Sequence, residues 1–183
     1  FMEAAERGES FELRAVTTDE VVDEIDAAEL LHKVSEGTYI CGDPGLQYED
    51  TIQRWHTCKN TGPINSSNPC SEYLFLDNSA CNLASLNLRK YQRDDGSVDV
   101  ERLRAAARIY ITAQEILVDN AGYPSESIAR NSHQFRPLGL GFANIGALLM
   151  SMGLPYDSDE GRAVAGAIMA IEHSEAYARS AEI

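Results

Sequence analysis

Three side chains that can act on a bound molecule lie close together in the segment Asn68-Pro69-Cys70-Ser71-Glu72. The segment places an amide, a thiol and a carboxylate at every second position. Pro69 favours an extended backbone before it, and side chains alternate faces in an extended segment. The pattern therefore predicts that Asn68, Cys70 and Glu72 share one face. That face would offer a hydrogen-bonding amide, a redox-capable sulfur and a general base.

The other thiols and histidines raise the question of a metal site. Cys81 is a second thiol that a returning loop could bring back to Cys70. His56, Cys58, Cys70 and Cys81 together offer enough soft ligands for zinc. No Cys-x-x-Cys pair occurs, however, so we predict no metal site and keep zinc as an alternative. We interpret Cys41 as a buried apolar residue and Trp55 as a packing residue.

A glycine-rich segment, Leu138-Gly139-Leu140-Gly141, is predicted to open a helix. Such a helix entry can bind phosphate. The dinucleotide fingerprint is incomplete, because Asn144 stands where a third glycine is needed. We therefore expect tight packing at this point, and we expect Arg136 before it to be solvated or salt-bridged.

The composition excludes several function classes. Lys and Arg number 15 against 29 Asp and Glu, which gives a net charge of −14. Such an acidic chain is poorly suited to bind nucleic acid or an anionic membrane. The sequence contains no transmembrane run and no secretory signal pattern. Four cysteines in such a chain are typical of reduced, cytoplasmic thiols.

The periodicity predicts an α/β chain with a helix-rich C-terminal half. The expected elements are a strand at Ser10–Val16, a helix from the capping box Thr17–Glu20 to about Glu36, a short helix at Asp50–Trp55, a buried strand at Ala80–Leu88, a long helix at Val98–Asn120, a short helix at Ser125–Ser132, a helix from Gly141 through Met152, and a final helix capped by Asp157 or Ser158. No linker divides residues 1–183, so we expect a single unit. Both ends fall within patterned sequence, which predicts an internal piece of a longer protein.

Several segments together carry a resemblance to a known family. Asn68–Glu72 followed by Ser79–Leu88 resembles the catalytic loop of ribonucleotide reductases. The approach segment, from Asp43-Pro44-Gly45 through Trp55-His56-Thr57-Cys58, is similar to the adenosylcobalamin-dependent class II form. Arg136–Phe142 and Leu154–Gly161 also match later segments of that family. The resemblance covers nearly the whole chain.

The resemblance implies a fold and a set of residue roles. Residues 1–183 would be a fragment of a ten-stranded α/β barrel, and a catalytic finger loop would lie at about 65–88. Cys70 would become a thiyl radical that removes hydrogen from C3′ of the ribose. Glu72 would take the proton of the 3′-hydroxyl, Asn68 would hydrogen-bond the substrate, and Ser67 would join them in binding it.

The resemblance also implies partners. Cys81 would be one of two reducing thiols that end as a disulfide, and its partner would lie outside this chain. Adenosylcobalamin would be the cofactor, and a dithiol protein such as thioredoxin would be the external reductant. The rest of the reductase chain would be needed for activity, and a homodimer is possible.

Three alternatives to a class II reductase fragment stay open. The chain could come from the large subunit of a class I reductase, which shares the Asn-x-Cys-x-Glu loop. It could also be a zinc-stabilised domain, or a structural module that keeps the loop as a relic.

Overall fold

The computed structural model describes residues 1–183, which form two compact units, Phe1–Trp55 and His56–Ile183. The elements in chain order are α1 (Met2–Arg7), β1 (Ser10–Arg14), β2 (Val21–Asp26), α2 (Ala27–Cys41), α3 (Glu49–Trp55), β3 (Asn82–Asn87), a 3-10 turn (Leu88–Tyr91), α4 (Val100–Asn120), α5 (Glu126–Phe135), β4 (Leu138–Ala143), α6 (Ile145–Ser151) and α7 (Asp159–Glu182). The chain is therefore mixed helix and strand. None of its helices is both long and apolar enough to cross a lipid bilayer.

The first unit is built around a β-hairpin. β1 and β2 pair antiparallel, with Ser10 opposite Asp26. The helix predicted from Thr17 is wrong, because that segment forms the hairpin turn, in which Asp19 has a φ of 59°. The β-branched residues Val21 and Val22 favour the strand that follows. Helix α2 begins only at Ala27.

Local side-chain chemistry explains where α2 begins. Asp26 caps the helix by accepting a hydrogen bond from Glu29 N at 2.9 Å. Cys41, the last residue of α2, is exposed, so the prediction that it is buried is wrong. Trp55 is 80% exposed, so the prediction that it is a packing residue is wrong within this chain.

The second unit places two parallel strands against helices. β3 and β4 pair in register from Asn82–Leu138 to Asn87–Ala143, and the chain between them forms α4 and α5. The core that holds this layer consists of Leu86, Leu88, Leu103, Ala107, Leu148 and Ile168. Helix α7 packs against α4 and also contacts β4. Parallel neighbouring strands must be joined by a crossover connection, and α4 and α5 form that connection between β3 and β4.

The glycine-rich segment forms a strand rather than the start of a helix. Leu138–Ala143 is β4, and α6 begins at Ile145, after Asn144 in a left-handed conformation at φ 68°. The prediction for this segment is wrong because each of its residues finds a register partner in β3, which local periodicity does not reveal. Helix α7 is capped by Ser158, one of its two predicted caps. Helix α4 begins at Val100, two residues after its predicted start, and Asp99 caps it.

Candidate active site

The candidate catalytic residues lie on a closed loop, residues 65–79, which we call the Cys70 hairpin. Ser67 and Leu74 form an antiparallel bridge between its two arms. At its base, Asn65 Nδ2 donates a hydrogen bond to Asp77 Oδ2 at 2.8 Å. These contacts bring the arms together and leave the intervening residues as a protruding tip.

The tip is a tight turn. Ser71 N donates to Asn68 O at 3.0 Å, and Ser71 has a φ of 64°. Pro69 and Cys70 are the central residues, and proline's fixed φ suits the first of these positions. The prediction of an extended segment with three side chains on one face is therefore wrong. Cys70 lies at the apex, and Glu72 lies on the returning arm.

Asn68 has a structural contact that limits what its side chain can do. Its Oδ1 accepts a hydrogen bond from Tyr73 N at 2.9 Å and so closes the turn. The carbonyl oxygen is thereby committed, and the Nδ2 group is left to donate to a ligand. Asn68 and Ser67 both line a cavity of about 500 Å³ that is formed by residues of the hairpin itself. Ser67 is half-buried there, and its hydroxyl donates to Asn68 O at 2.9 Å.

The thiol of Cys70 and the carboxylate of Glu72 are exposed. A thiol at the apex of a turn can meet a reaction partner without any rearrangement of the chain. Glu72 is close enough to Cys81 for its charge to act on that thiol. The structure thus places Asn68, Cys70 and Glu72 on one hairpin, with Glu72 near Cys81.

Cys81 lies in a different environment from Cys70. It is half-buried just before β3, and its Sγ lies 3.7 Å from Asn82 O. Burial raises the pKa of the Cys81 thiol, and the nearby negative charge of Glu72 raises it further. Cys81 is therefore held as a protonated thiol, which carries a hydrogen atom to give. All four cysteines of the chain are free.

Tyr73 and Ser79 support the hairpin from inside, and sequence reasoning missed both. Tyr73 OH lies 2.7 Å from Ser79 Oγ, which itself donates to Leu76 O at 2.6 Å. Because the serine hydroxyl has one hydrogen, the tyrosine is the donor in the first contact. Burial raises the pKa of Tyr73, so it remains a neutral donor.

Two buried polar residues on helices contact the backbone beside Cys81. Ser132 Oγ of α5 accepts from Ala80 N at 3.1 Å, and Gln114 Nε2 of α4 donates to Asn82 O at 3.1 Å. Sequence reasoning missed them as well. A signal for Gln114 does exist, because it takes a core position in the apolar stripe of α4. The buried positions of that helix are Leu103, Ala107, Ile111, Gln114 and Val118.

The chain contains no group of three or more His, Cys, Asp or Glu side chains placed to hold a metal ion. His56 is buried and fully engaged: its Nε2 donates to Gly62 O at 2.9 Å, and its Nδ1 accepts from Cys58 N at 3.3 Å. Both ring nitrogens therefore serve the local turn rather than a metal.

Comparison with known proteins settles the family. The sequence profile for the ribonucleotide reductase barrel domain matches residues 2–183. The chain belongs to the ribonucleotide reductase barrel family. The class of protein predicted from Asn68–Glu72 and the flanking segments is thus confirmed.

Three relatives show how far the similarity extends. A vitamin B12-dependent ribonucleotide reductase from Rhodopirellula baltica is 55% identical over 100% of this chain and 18% of the relative. One of the same name from Streptomyces clavuligerus is 51% identical over 100% of this chain and 20% of the relative. A vitamin B12-dependent ribonucleoside-diphosphate reductase from Mycobacterium tuberculosis is 34% identical over 92% of this chain and 24% of the relative. The chain thus spans about a fifth of the length of these relatives.

Proposed function

We propose that this chain is the part of a B12-dependent ribonucleotide reductase that carries the catalytic finger loop, residues 65–88. The observation that carries the proposal is the arrangement of two unlike thiols. Cys70 is exposed at the apex of a closed hairpin, and Cys81 is half-buried near Glu72, with its thiol pKa raised by that burial. A radical reduction needs one thiol that meets the substrate first and another that gives up hydrogen later.

The roles of the hairpin residues follow from their positions. Cys70, as a thiyl radical, takes the hydrogen atom from C3′ of the ribose and later returns it. Glu72, exposed on the returning arm, accepts the proton of the 3′-hydroxyl as a general base. Asn68 donates to the substrate through Nδ2, because its Oδ1 is committed to Tyr73 N. Ser67 lines the adjoining cavity and helps to bind the ribonucleotide.

The reducing electrons come from two thiols. The 2′-hydroxyl leaves as water, Cys81 and a second cysteine lose their hydrogens, and one disulfide forms between them. Two electrons therefore pass from the thiols to the nucleotide; of the two thiol hydrogens, one replaces the 2′-hydroxyl at C2′ and the other leaves in the water. The second cysteine lies outside this chain in the proposal, and a dithiol protein such as thioredoxin reduces the disulfide after each cycle.

The residues of this chain fit a radical that is generated by a group outside the chain. The only thiol at the hairpin apex, Cys70, is open to a group that approaches from outside. When bound, adenosylcobalamin supplies a radical through its weak metal–carbon bond. Cys70 is the residue that would receive it, and the hairpin holds that thiol in place.

The wider architecture is part of the same proposal. The finger loop would lie within a ten-stranded α/β barrel, of which β3 and β4 form two neighbouring strands, and residues 1–183 would be one part of that barrel. Both outer edges of the β3–β4 pair lack a partner in this chain, which supports further strands there. The proposal also includes the remaining barrel, a homodimer and a cytoplasmic location, where thiols stay reduced.

The relatives favour this class over the alternatives. The compared relatives carry vitamin B12-dependent names, which supports class II over a class I large subunit. A zinc-stabilised domain has no suitable donor cluster to support it.

The test uses the full-length protein that contains these residues, with adenosylcobalamin, a dithiol and a ribonucleotide. We expect deoxynucleotide from the parent and at least about a thousandfold less from Cys70→Ser, since serine cannot carry the radical. Cys58→Ser is the matched control and should keep its activity. Product formation by Cys70→Ser at the parental rate would contradict the proposal. Activity that needs an added radical-generating subunit instead of cobalamin would move the chain to class I.

A further inference from the structure

The backbone on both sides of Cys81 is held by side chains from two different helices. Before the thiol, Ala80 N donates to Ser132 Oγ of α5 at 3.1 Å. After it, Asn82 O accepts from Gln114 Nε2 of α4 at 3.1 Å. Ser132 is 1% and Gln114 is 2% exposed, so neither bond is open to competition from solvent.

The Gln114 contact is reciprocal and reaches both strands. The Asn82 side chain donates back to Gln114 O at 3.2 Å. Gln114 Nε2 also donates to Gly139 O of β4 at 2.7 Å. One amide group therefore joins the first residue of β3 to the second residue of β4, at the end of the sheet where Cys81 lies.

Strand β4 also limits the space that is available to the Cys81 sulfur. A side chain at Gly139 would place a Cβ 3.3 Å from Cys81 Sγ and would overlap Leu83. Glycine at this position therefore leaves room for the thiol. Backbone bonds before and after Cys81, together with this close approach, limit where the sulfur can point.

The Ala80 contact is the least expected of these bonds in an ordinary sheet. Ala80 precedes β3, so its N–H is not part of the β3–β4 ladder, whose first pair is Asn82–Leu138. A buried side chain 52 residues further along the chain satisfies it instead. The core of this unit is held together elsewhere, by the apolar cluster that contains Leu86, Leu103 and Leu148.

We infer that Gln114 and Ser132 are positioning residues that hold Cys81 for hydrogen transfer in the reduction. The inference rests on the proposed function for its purpose, but the geometry of the clamp can be tested separately. By the clamp we mean the bonds from Ser132 to Ala80 and from Gln114 to Asn82 and Gly139. If it acts on Cys81, its loss changes the behaviour of that thiol more than that of Cys70.

The first experiment measures thiol reactivity in the full-length protein without cofactor. Alkylation of Cys81 and Cys70 by iodoacetamide is followed by mass spectrometry in Gln114→Leu, Ser132→Ala and the parent. We expect Cys81 to react about tenfold faster in both variants, which is the scale of one lost buried hydrogen bond. Cys70 should react at the parental rate. Ser132→Thr keeps a hydroxyl and should restore slow alkylation of Cys81.

Thr112→Val is the matched control. It removes the bond that Thr112 Oγ1 accepts from Arg179 Nε at 2.9 Å, which joins α4 to α7 away from Cys81. A clamp predicts no change at Cys81 in this variant. An equal rise in Thr112→Val, or an equal rise at Cys70 in the clamp variants, means general loosening and overturns the inference. Unchanged Cys81 alkylation in Ser132→Ala overturns it as well.

The second experiment measures turnover. We expect Gln114→Leu and Ser132→Ala to lower kcat about tenfold while KM for the ribonucleotide stays within about twofold, because the affected thiol acts after binding. Hydrogen exchange at C3′, which needs Cys70 but not Cys81, should continue. If KM rises and kcat does not change, the clamp serves binding and the inference is wrong. If the parent forms no deoxynucleotide while the variants still expose Cys81, the proposed function fails and the clamp stands.

Discussion

Asn68 shows how one side chain can divide its two polar atoms between structure and chemistry. Its Oδ1 accepts from Tyr73 N at 2.9 Å and closes the Cys70 hairpin. Its Nδ2 is the group that can donate to a substrate. A contact of this kind orients the amide before any ligand arrives, which reduces the cost of ordering it on binding.

This division predicts different outcomes for two substitutions at one position. Asn68→Asp keeps the oxygen that closes the turn but removes the donor, so we expect deoxynucleotide formation to fall about a hundredfold with the hairpin intact. Asn68→Ala removes both groups, so it should also speed hydrogen exchange at the Tyr73 amide. Turnover and amide exchange in the full-length protein give the two readouts. Parental turnover in Asn68→Asp would show that Nδ2 has no part in the reaction.

Among the elements, β4 approaches Cys81 most closely at Gly139. A methyl group there would lie 3.3 Å from Cys81 Sγ and would overlap Leu83, whose side chain is 63% exposed and can move. We therefore expect Gly139→Ala to fold but to lower turnover several-fold by displacing the sulfur, as small misplacements of reacting groups do. Turnover and the alkylation rate of Cys81 report the effect.

Gly141 provides the control for that prediction. It lies two residues further along β4, on the same face, and a Cβ there would meet nothing within 4 Å. Gly141→Ala should therefore keep the parental rate. Equal losses in the two variants would mean that β4 needs glycine for its backbone and not for Cys81.

Helix α7 contains a buried acid that the proposed reaction does not use. Glu172 is fully buried, and neither carboxylate oxygen has a hydrogen-bond partner within the chain. Burial raises the pKa of Glu172 above its ordinary value of 4.5. It lines a cavity of about 650 Å³ with His173 and Arg136, although Arg136 is already paired with Glu115 and Asp119.

The raised pKa predicts how stability depends on pH. The folded state holds this proton more tightly than the unfolded state, so the stability that protonated Glu172 supports is complete below pH 4.5 and is lost as pH rises through the raised pKa. Glu172→Gln should remove that dependence and slow amide exchange in α4 and α7 at neutral pH. Amide hydrogen exchange in the full-length protein, measured at several pH values and corrected for intrinsic exchange rates, tests this prediction. The same pH dependence in parent and variant would exclude Glu172 as its source.

At the scale of the whole molecule, the parallel pair β3–β4 has two outer edges with no partner in this chain. Parallel sheets in proteins are normally covered on both faces and continue to further strands. Large apolar side chains are also exposed, among them Leu83 at 63% and Trp55 at 80%. These features belong to a segment that packs against more protein, in keeping with its span of about a fifth of its relatives.

The unpaired edges predict the behaviour of the isolated 183-residue chain. We expect it to form no deoxynucleotide with adenosylcobalamin and a dithiol, and to self-associate through its strand edges and apolar surface. Sedimentation velocity and a product assay, with the full-length protein as the control, measure both properties. An active, monomeric isolated chain would show that the remaining barrel is dispensable.

Local signals were enough to predict several elements and the family. Ser158 marks the start of α7 because a cap acts within one turn of helix. The candidate site residues Asn68, Cys70 and Glu72 could be chosen because they stand at every second position of one short segment. Their roles remain proposals, since neither the fold nor the relatives test them.

Other features were out of reach because their causes are distant in sequence. A capping box at Thr17–Glu20 competes with a hairpin turn, and pairing of Val21–Asp26 with β1 decided the outcome. Likewise Leu138–Ala143 became a strand because β3 lies beside it. Proline favours tight turns as well as extended segments. At Asn68–Ser71 the turn formed, because the two arms of the hairpin pair with each other.

The sequence by itself determined which chemistry the chain can offer: two thiols, an amide and a carboxylate in a pattern that resembles one family. Tertiary structure alone decided that the two thiols differ, with Cys70 exposed and Cys81 half-buried and clamped from α4 and α5. The physical reason is that residue types and short spacings are written along the chain. Burial, pKa and the direction of a side chain depend on contacts that only folding brings together.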